Sequence, residues 1–166
     1  HGECEAAVSK SAELGFDYIE IPALDPASVD TKHTLMQLEK YGIGATVSLG
    51  LPLDCDISSE DPEVVARGEA MLNDALRLTG EIGATHMCGI LYSGFAKYMQ
   101  PKTERGVHTS AEVLFRIAEK AKLENIAIAL EVVNRYETNL LNTGAEGVGM
   151  VKQIGSENVY VHLDSY

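Results

Sequence analysis

The chain has 166 residues, 45% of them apolar and 23% charged, which is enough for one domain with a sizeable core. Its 25 acidic and 13 basic residues give a net charge of −12, which argues against a nucleic-acid-binding surface, because clustered Lys and Arg neutralise phosphates. No apolar run is long enough to span a membrane, and no signal peptide is visible. We therefore expect residues 1–166 to form a single soluble domain whose partner is a small molecule, with no nucleic acid and no membrane.

The three cysteines, Cys4, Cys55 and Cys88, are scattered and odd in number, without a CxxC spacing. This pattern does not fit a disulfide framework. It favours a reducing compartment, so a cytoplasmic location is expected.

Helical and strand patterns alternate regularly along the chain. Asp61-Pro62-Glu63 predicts the start of the third helix, and Thr143-x-x-Glu146 forms a capping box for the fifth. The predicted helices are 5–14, 30–41, 61–82, 105–124 and 143–154, and the predicted strands are 16–22, 45–50, 86–91, the opening part of 126–139, and 159–164.

This alternation, with short connections, predicts an α/β fold in which helices wrap a parallel sheet. Two architectures fit: a complete five-stranded doubly wound domain, and part of an eight-stranded (β/α) barrel. Both place functional groups at the carboxyl ends of the strands. At those ends the sequence has Gly50, residues 91–95, Glu131 and Asp164.

Glu131 is the most informative residue of the fourth strand. Ile128, Leu130 and Val132 alternate with alanines and with Glu131, which predicts an apolar side against the helices and a second side carrying one carboxylate. Burying that carboxylate unpaired is costly. It therefore reaches water at the strand end, pairs with Arg135 or a lysine, or binds a cation.

Other polar residues have simpler interpretations. His162 shares a face with Asp164 and is expected to be a hydrogen-bonded interior histidine rather than a metal ligand. Glu20 is interpreted as an interior polar group with a partner, and His86 as a structural residue at a strand start.

Residues 92–102 are predicted to form a loop that carries Tyr92, Phe95 and Tyr98. These aromatic side chains suit either a wall for stacking a sugar or a cover for the edge of the core. The glycines of the fifth helix, Gly144, Gly147 and Gly149, lack the Lys-Ser/Thr of a phosphate loop and are explained better by packing on the sheet.

Several segments resemble the D-tagatose 3-epimerase / D-allulose (D-psicose) 3-epimerase family. They are EVVNRYE at 131–137, LLNTGAEGVGMVKQIG at 140–155 and VYVHLDSY at 159–166, with ELGFDYIEI and TVSLGLPLDCDISSEDPEV earlier in the chain. The resemblance implies a xylose isomerase-like (β/α)8 TIM barrel, of which the chain has strands two to six, that is, about five parallel strands and five helices. We therefore expect the natural polypeptide to be longer.

The resemblance also implies a divalent metal, with Mn²⁺ expected first and Mg²⁺ or Co²⁺ as alternatives. By the same resemblance Glu131 and Asp164 are metal ligands, Glu131 is also one of two acid/base carboxylates, and Glu137 contacts the substrate. Phe95 stands where members commonly carry Trp. Gly50 and Arg135 are further candidate substrate contacts at the rim, and Arg135 would either orient Glu131 or meet a substrate oxygen. The other metal ligands of the family, a His and a second Glu, come from later strands.

The predicted activity is a carbohydrate isomerase reaction, the epimerisation of a ketose at C3. One carboxylate removes the C3 proton, a second returns a proton to the opposite face, and a divalent cation stabilises the negative charge of the enediolate. The alternatives are another enzyme of the same barrel type, such as a sugar isomerase or inosose dehydratase, and a non-catalytic binding domain. Related enzymes are often dimers or tetramers.

Overall fold

The computed structural model describes residues 2–165 and confirms the alternation of helices and strands. The strands are β1 (Tyr18–Pro22), β2 (Gly44–Leu51), β3 (His86–Gly94), β4 (Ala127–Val132) and β5 (Val159–Leu163). The helices are α1 (Gly2–Glu13), α2 (Thr31–Tyr41), α3 (Pro62–Glu81), α4 (Glu104–Leu123) and α5 (Gly144–Ile154), with single 3-10 turns at Pro26–Ser28 and Leu53–Cys55. Each predicted element is present with bounds close to those expected, except that β3 continues three residues beyond position 91.

The order of the strands separates the two architectures that fit the sequence. All four strand pairs are parallel, and the sheet order is β1-β2-β3-β4-β5. In a doubly wound domain the chain returns to the middle of the sheet and adds strands toward the opposite edge, so the strand order is not sequential. A sequential parallel order, with a helix in each crossover, is the arrangement of consecutive units in a (β/α) barrel.

The two sides of the sheet differ in burial. On the helix-covered side, Val47 of β2, Met87 of β3 and Ile128 and Leu130 of β4 are completely buried and belong to the hydrophobic core. The other side, which faces the barrel axis, carries Ala127, Ala129 and Glu131 of β4, each only partly buried. The predicted orientation of β4 is confirmed. The polar groups therefore lie on the barrel-facing side, while the core lies between sheet and helices.

The helix boundaries follow from local hydrogen bonds. Asp61 Oδ1 accepts from Glu63 N at 2.8 Å, and Thr143 Oγ1 accepts from Glu146 N at 3.2 Å, as the capping signals predict. Gly42 ends α2 in the left-handed region at φ 64°. Within residues 2–165, no helix has the length and apolar character needed to cross a bilayer.

The glycines of α5 have different surroundings. A Cβ at Gly147 would lie 2.9 Å from Val132 Cγ2 and 3.1 Å from Val161 Cγ1, so a side chain there would push the helix away from the sheet. Nothing lies within 4 Å of such an atom at Gly149. Packing on the sheet therefore explains Gly147 and not Gly149.

Candidate active site

Glu131 lies near the carboxyl end of β4, in register with His162 of β5. Its side chain is half-buried, and its carbonyl oxygen accepts a hydrogen bond of 2.8 Å from the Tyr92 hydroxyl. Because β4 pairs with strands on both sides, the direction of the Glu131 side chain is set by the ladder. The sheet therefore carries this carboxylate on a rigid support.

Tyr92 lies in strand β3, so its expected place in the following loop is wrong. The side chain is completely buried, and burial raises the pKa of the phenol well above its usual range. Its carbonyl oxygen accepts from Ser110 Oγ at 2.7 Å. A ring at this depth is unable to stack on a sugar. Tyr92 instead ties the helix layer and β3 to the backbone of Glu131.

Burial is the largest influence on the acidity of Glu131, and it raises the pKa of the carboxyl group above its ordinary value. His162 opposes this shift, whereas the negative charges of Asp164, Glu20 and Glu137 add to it. Among residues 2–165 no lysine or arginine forms an ion pair with Glu131. The structure therefore does not show the ion pair with Arg135 or a lysine that the sequence allows. The charged neighbours that raise the pKa of Glu131 are Asp164, Glu20 and Glu137.

Two neighbouring cavities meet at Glu131. The first, of about 270 Å³, is lined by groups from four strand ends, namely Glu20, Pro22, Leu24, Ser48, Leu49, Gly50, Gly89, Ile90, Phe95, Glu131, Val133 and Glu137. The second, of about 300 Å³, is lined by Glu131, Val132, Val133, Asn134, Glu137 and Asp164. Four further predicted site residues, Gly50, Phe95, Glu137 and Asp164, are therefore brought together around Glu131. A cavity of about 570 Å³ between α1, α2 and β1 is larger but does not include Glu131.

The candidate metal ligands within the described residues are two carboxylates. No group of three or more His, Cys, Asp or Glu side chains between residues 2 and 165 is arranged to hold a metal ion. Glu131 and Asp164 nevertheless line the same cavity, and the Asp164 charge raises the pKa of Glu131. A carboxylate whose ionisation is disfavoured by a neighbouring carboxylate fits a site for a hard divalent cation, which prefers oxygen ligands and would offset the negative charge.

His162 differs from its expected role as a hydrogen-bonded interior histidine. Its Nδ1 is buried and has no hydrogen-bond partner among the described residues. An orphaned buried nitrogen is uncommon in a folded protein. His162 lies beside Glu131 in the ladder but lines neither of the two cavities.

The remaining predicted contacts differ in their distance from the site. Phe95 is 46% exposed and lies against Gly50, where an added Cβ would be 3.6 Å from Phe95 Cβ. Glu137 Oε2 accepts a hydrogen bond from Asn134 Nδ2 at 2.5 Å. Arg135 is exposed and lines neither cavity, and Tyr98, which is 46% exposed, does not line them either. Phe95, Gly50 and Glu137 are therefore the candidate contacts that the fold places beside Glu131.

Glu20 has the partner that the sequence predicts, and this partner is Cys88. The Cys88 thiol donates to Glu20 Oε2 at a distance of 3.6 Å. Burial, helped by the Glu20 charge, raises the pKa of this thiol to about 12, so it remains a protonated donor. His86, by contrast, opens β3 as an exposed residue, 2.8 Å from Thr85 Oγ1.

Comparisons with known proteins agree with this geometry. The model of the xylose isomerase-like TIM barrel family matches residues 8–166. A ketose 3-epimerase of Arthrobacter globiformis is 44% identical over 160 residues, covering 96% of this chain and 55% of the relative. An L-ribulose 3-epimerase of Mesorhizobium japonicum is 40% identical over 164 residues, covering 99% of this chain and 55% of the relative.

A crystal structure of D-allulose 3-epimerase from Methylomonas sp. in complex with D-allulose superposes with a TM-score of 0.96 at 37% identity, covering 98% of this chain and 57% of that one. The chain thus spans a little over half the length of the curated relatives that it matches. The sequential parallel sheet, the polar strand ends and the family model lead to one conclusion: this chain belongs to the xylose isomerase-like TIM barrel family.

Proposed function

We propose that the polypeptide containing this chain is a metal-dependent ketose 3-epimerase that acts on free ketoses of the D-tagatose, D-fructose and D-allulose (D-psicose) type. The observation that carries the proposal is the environment of Glu131. This carboxylate is half-buried, has no cationic side chain paired with it among residues 2–165, and lies between cavities that also contain Asp164 and Glu137. The relatives named as ketose, L-ribulose and D-allulose 3-epimerases support the same reaction.

The chemistry at Glu131 follows from its raised pKa. A carboxylate with a raised pKa is a stronger base toward a weakly acidic C–H proton, and its protonated form, which returns the proton, is more populated near neutral pH. In the proposed reaction Glu131 exchanges the proton at C3 of the ketose from one face, and a second carboxylate outside the described residues serves the opposite face. The hydrogen bond from Tyr92 to the Glu131 carbonyl oxygen holds the strand end while the proton moves.

Glu131 and Asp164 would hold a divalent cation, Mn²⁺ in the first instance and Mg²⁺ or Co²⁺ as alternatives, together with donors outside the described residues. When bound, the cation supplies positive charge that favours the ionised carboxylates and the oxyanion that develops when C3 is deprotonated.

The sugar is oriented by groups of the first cavity. Glu137, held by the Asn134 amide, accepts hydrogen bonds from sugar hydroxyls, and Phe95 provides an apolar surface for the C–H face of the ring or chain. Gly50 leaves room beside the Phe95 ring, because a side chain there would enter the space next to it. Arg135 is proposed to meet a substrate oxygen from the exposed part of the loop.

We also propose a cytoplasmic location and assembly into a homodimer or homotetramer. The location is supported by the cysteines, since Cys4, Cys55 and Cys88 are all free thiols. The assembly state is taken from the family resemblance.

The test is turnover of D-fructose, D-tagatose, D-allulose and L-ribulose in D₂O with Mn²⁺, followed by NMR of the product. We expect the configuration at C3 to invert and deuterium to appear at that carbon. Label at C1 or C2 with a change from ketose to aldose would identify a sugar isomerase instead, and loss of water would identify a dehydratase. Binding of Mn²⁺ without turnover of any sugar would support the binding-domain alternative and contradict the proposal.

A further inference from the structure

Asp56 is a deeply buried carboxylate that lines neither of the two cavities at Glu131. It is 4% exposed, and its Oδ1 accepts hydrogen bonds from Ser58 N at 2.8 Å, Ser58 Oγ at 2.7 Å and Gly94 N at 3.0 Å. Its Oδ2 accepts from Lys97 Nζ at 2.5 Å, and the Lys97 side chain is 29% exposed. Burying a charge is costly without partners, so this complete set of donors indicates a pair with a defined task rather than an incidental surface contact.

The pair joins two loops at the carboxyl ends of the strands. Asp56 and Ser58 precede α3, whereas Lys97 follows β3. Lys97 Nζ also donates to Ser58 O at 3.3 Å and to Ser58 Oγ at 2.9 Å. The ammonium group therefore makes three hydrogen bonds to the loop that precedes α3, and these contacts restrain residues 94–97.

Residues 94–97 are held through their backbone as well. The four amide groups donate as follows: Gly94 N to Asp56 Oδ1 at 3.0 Å, Phe95 N to Leu51 O at 2.6 Å, Ala96 N to Glu137 O at 2.7 Å and Lys97 N to Gly94 O at 3.2 Å. Ala96 has a φ of 66°, a left-handed conformation that a non-glycine residue keeps only when its surroundings impose it. The conformation of this segment thus depends on the contacts that anchor it.

Residues 94–97 contribute to the lining of the first cavity, which is the one of about 270 Å³ at Glu131, in two ways. Phe95 lines the cavity directly, and the amide of Ala96 holds the backbone of Glu137, which lines it from the β4–α5 loop. We propose that the Asp56–Lys97 pair is a positioning device for ketose recognition, fixing Phe95 and Glu137 at the distance from Glu131 that the sugar requires. The inference rests on the proposed function, to which it adds two residues that determine substrate affinity.

The kinetic consequence follows from how each group is supported. Glu131 is held by the β-ladder and by Tyr92, and neither depends on Lys97. Loss of the pair therefore moves the sugar-orienting groups and leaves the proton-transferring group in place. An interaction that binds substrate and transition state alike affects KM and not kcat.

The experiment uses the intact polypeptide with Lys97→Met, Phe95→Ala and the double variant. We expect Lys97→Met to raise KM for the best ketose about tenfold, with kcat changed less than about twofold. If Lys97 acts through Phe95, the KM of the double variant lies within about twofold of that of Phe95→Ala alone, because coupled residues are not additive. Lys97→Arg, which keeps the positive charge, is expected to restore most of the affinity.

Lys122→Met is the matched control, because Lys122 pairs with Glu157 at 3.0 Å on the surface, away from both cavities. It should leave KM and kcat unchanged. A fall in kcat of Lys97→Met with KM unchanged would overturn the positioning role, and fully additive effects in the double variant would overturn the part of it that acts through Phe95.

Hydrogen–deuterium exchange separates failure of this inference from failure of the proposed function. Amides of residues 94–97 are expected to lose protection in Lys97→Met and to keep it in Lys122→Met. Unchanged protection in Lys97→Met contradicts the inference whatever the activity. Absence of epimerase activity in the wild-type protein, with the expected loss of protection in the variant, contradicts the proposed function alone and confines the pair to holding the loop.

Discussion

The two sides of strand β4 show how one short segment serves two purposes. On the helix-facing side, Ile128 and Leu130 are completely buried in the core. On the barrel-facing side, Ala129 leaves space and Glu131 brings a carboxylate whose pKa is raised chiefly by burial. Burial of the helix-facing side chains stabilises the fold, whereas partial burial of the Glu131 carboxylate on the barrel-facing side destabilises it.

This difference means that fold and chemistry are separable by substitution. A change on the helix-facing side is expected to lower the free energy of unfolding and leave the chemistry of each folded molecule unchanged. A change of Glu131 on the barrel-facing side is expected to alter the chemistry without lowering the free energy of unfolding. The reason is that the ionised, partly buried Glu131 destabilises the fold at neutral pH.

The largest effect is expected for Glu131→Gln. Removing the proton-transferring carboxylate should lower kcat about 10³-fold, roughly 4 kcal/mol of activation free energy. The metal-free melting temperature should not fall, because the substitution removes a charge that burial disfavours. Wild-type protein should gain thermal stability with Mn²⁺ and the variant should not. Calorimetry and turnover assays measure these quantities, and substantial activity in the variant would remove Glu131 from its proposed role.

Leu130→Ala tests the opposite side of the same strand. Truncating a completely buried leucine should lower the free energy of unfolding by about 2–5 kcal/mol, measured by urea denaturation. Leu123→Ala, at a position 85% exposed, is the matched control and should change it by less than about 0.5 kcal/mol. Loss of turnover per folded molecule in Leu130→Ala would show that the two sides are not separable.

Tyr92→Phe tests the hydrogen bond by which the buried Tyr92 side chain holds the backbone of Glu131. It removes the hydrogen bond to the Glu131 carbonyl oxygen but keeps the buried ring, so kcat should fall about five- to tenfold, near 1 kcal/mol. Tyr41→Phe is the control, because that hydroxyl reaches Glu5 on the surface at 3.2 Å. An unchanged kcat in Tyr92→Phe would mean that the β-ladder alone positions Glu131.

The smallest effect is expected in the helix layer, at the ion pair between Glu69 of α3 and Arg116 of α4. The Arg116 hydrogen bonds hold the pKa of Glu69 below its ordinary value of 4.5, with partial burial opposing. Because the folded-state pKa is depressed, the stabilisation is fully present above the unfolded-state pKa and is lost as pH falls through the folded one.

Glu69→Gln should therefore lower the free energy of unfolding by at most about 1 kcal/mol at pH 7, and the difference should shrink at acidic pH. Urea unfolding at several pH values measures it, with the exposed Glu13→Gln as control. Activity should be unaffected; a change in KM would link the helix layer to the site.

Particular residues show what was predictable from the sequence. The period of two in β4 predicts which side of the strand carries Glu131, and the fold confirms this orientation. The strand pattern weakens after Leu91 and so predicts a loop at Tyr92, although pairing with β2 continues to Gly94. The partner of Glu20, Cys88, is 68 residues away, and no local pattern links the two. The orphaned Nδ1 of His162 likewise depends on packing that no local spacing reports.

The amino-acid sequence by itself determined the alternation of helices and strands, the buried side of β4, the N-terminal caps of α3 and α5, and the carboxylates at the strand ends. These properties depend on residues a few positions apart, so they can be read locally. Only the tertiary structure decided the sequential strand order, the two cavities around Glu131, and the anchoring of residues 94–97 through Asp56. Each of these depends on groups that are distant in sequence, and their contacts form only when the sheet brings the strand ends together.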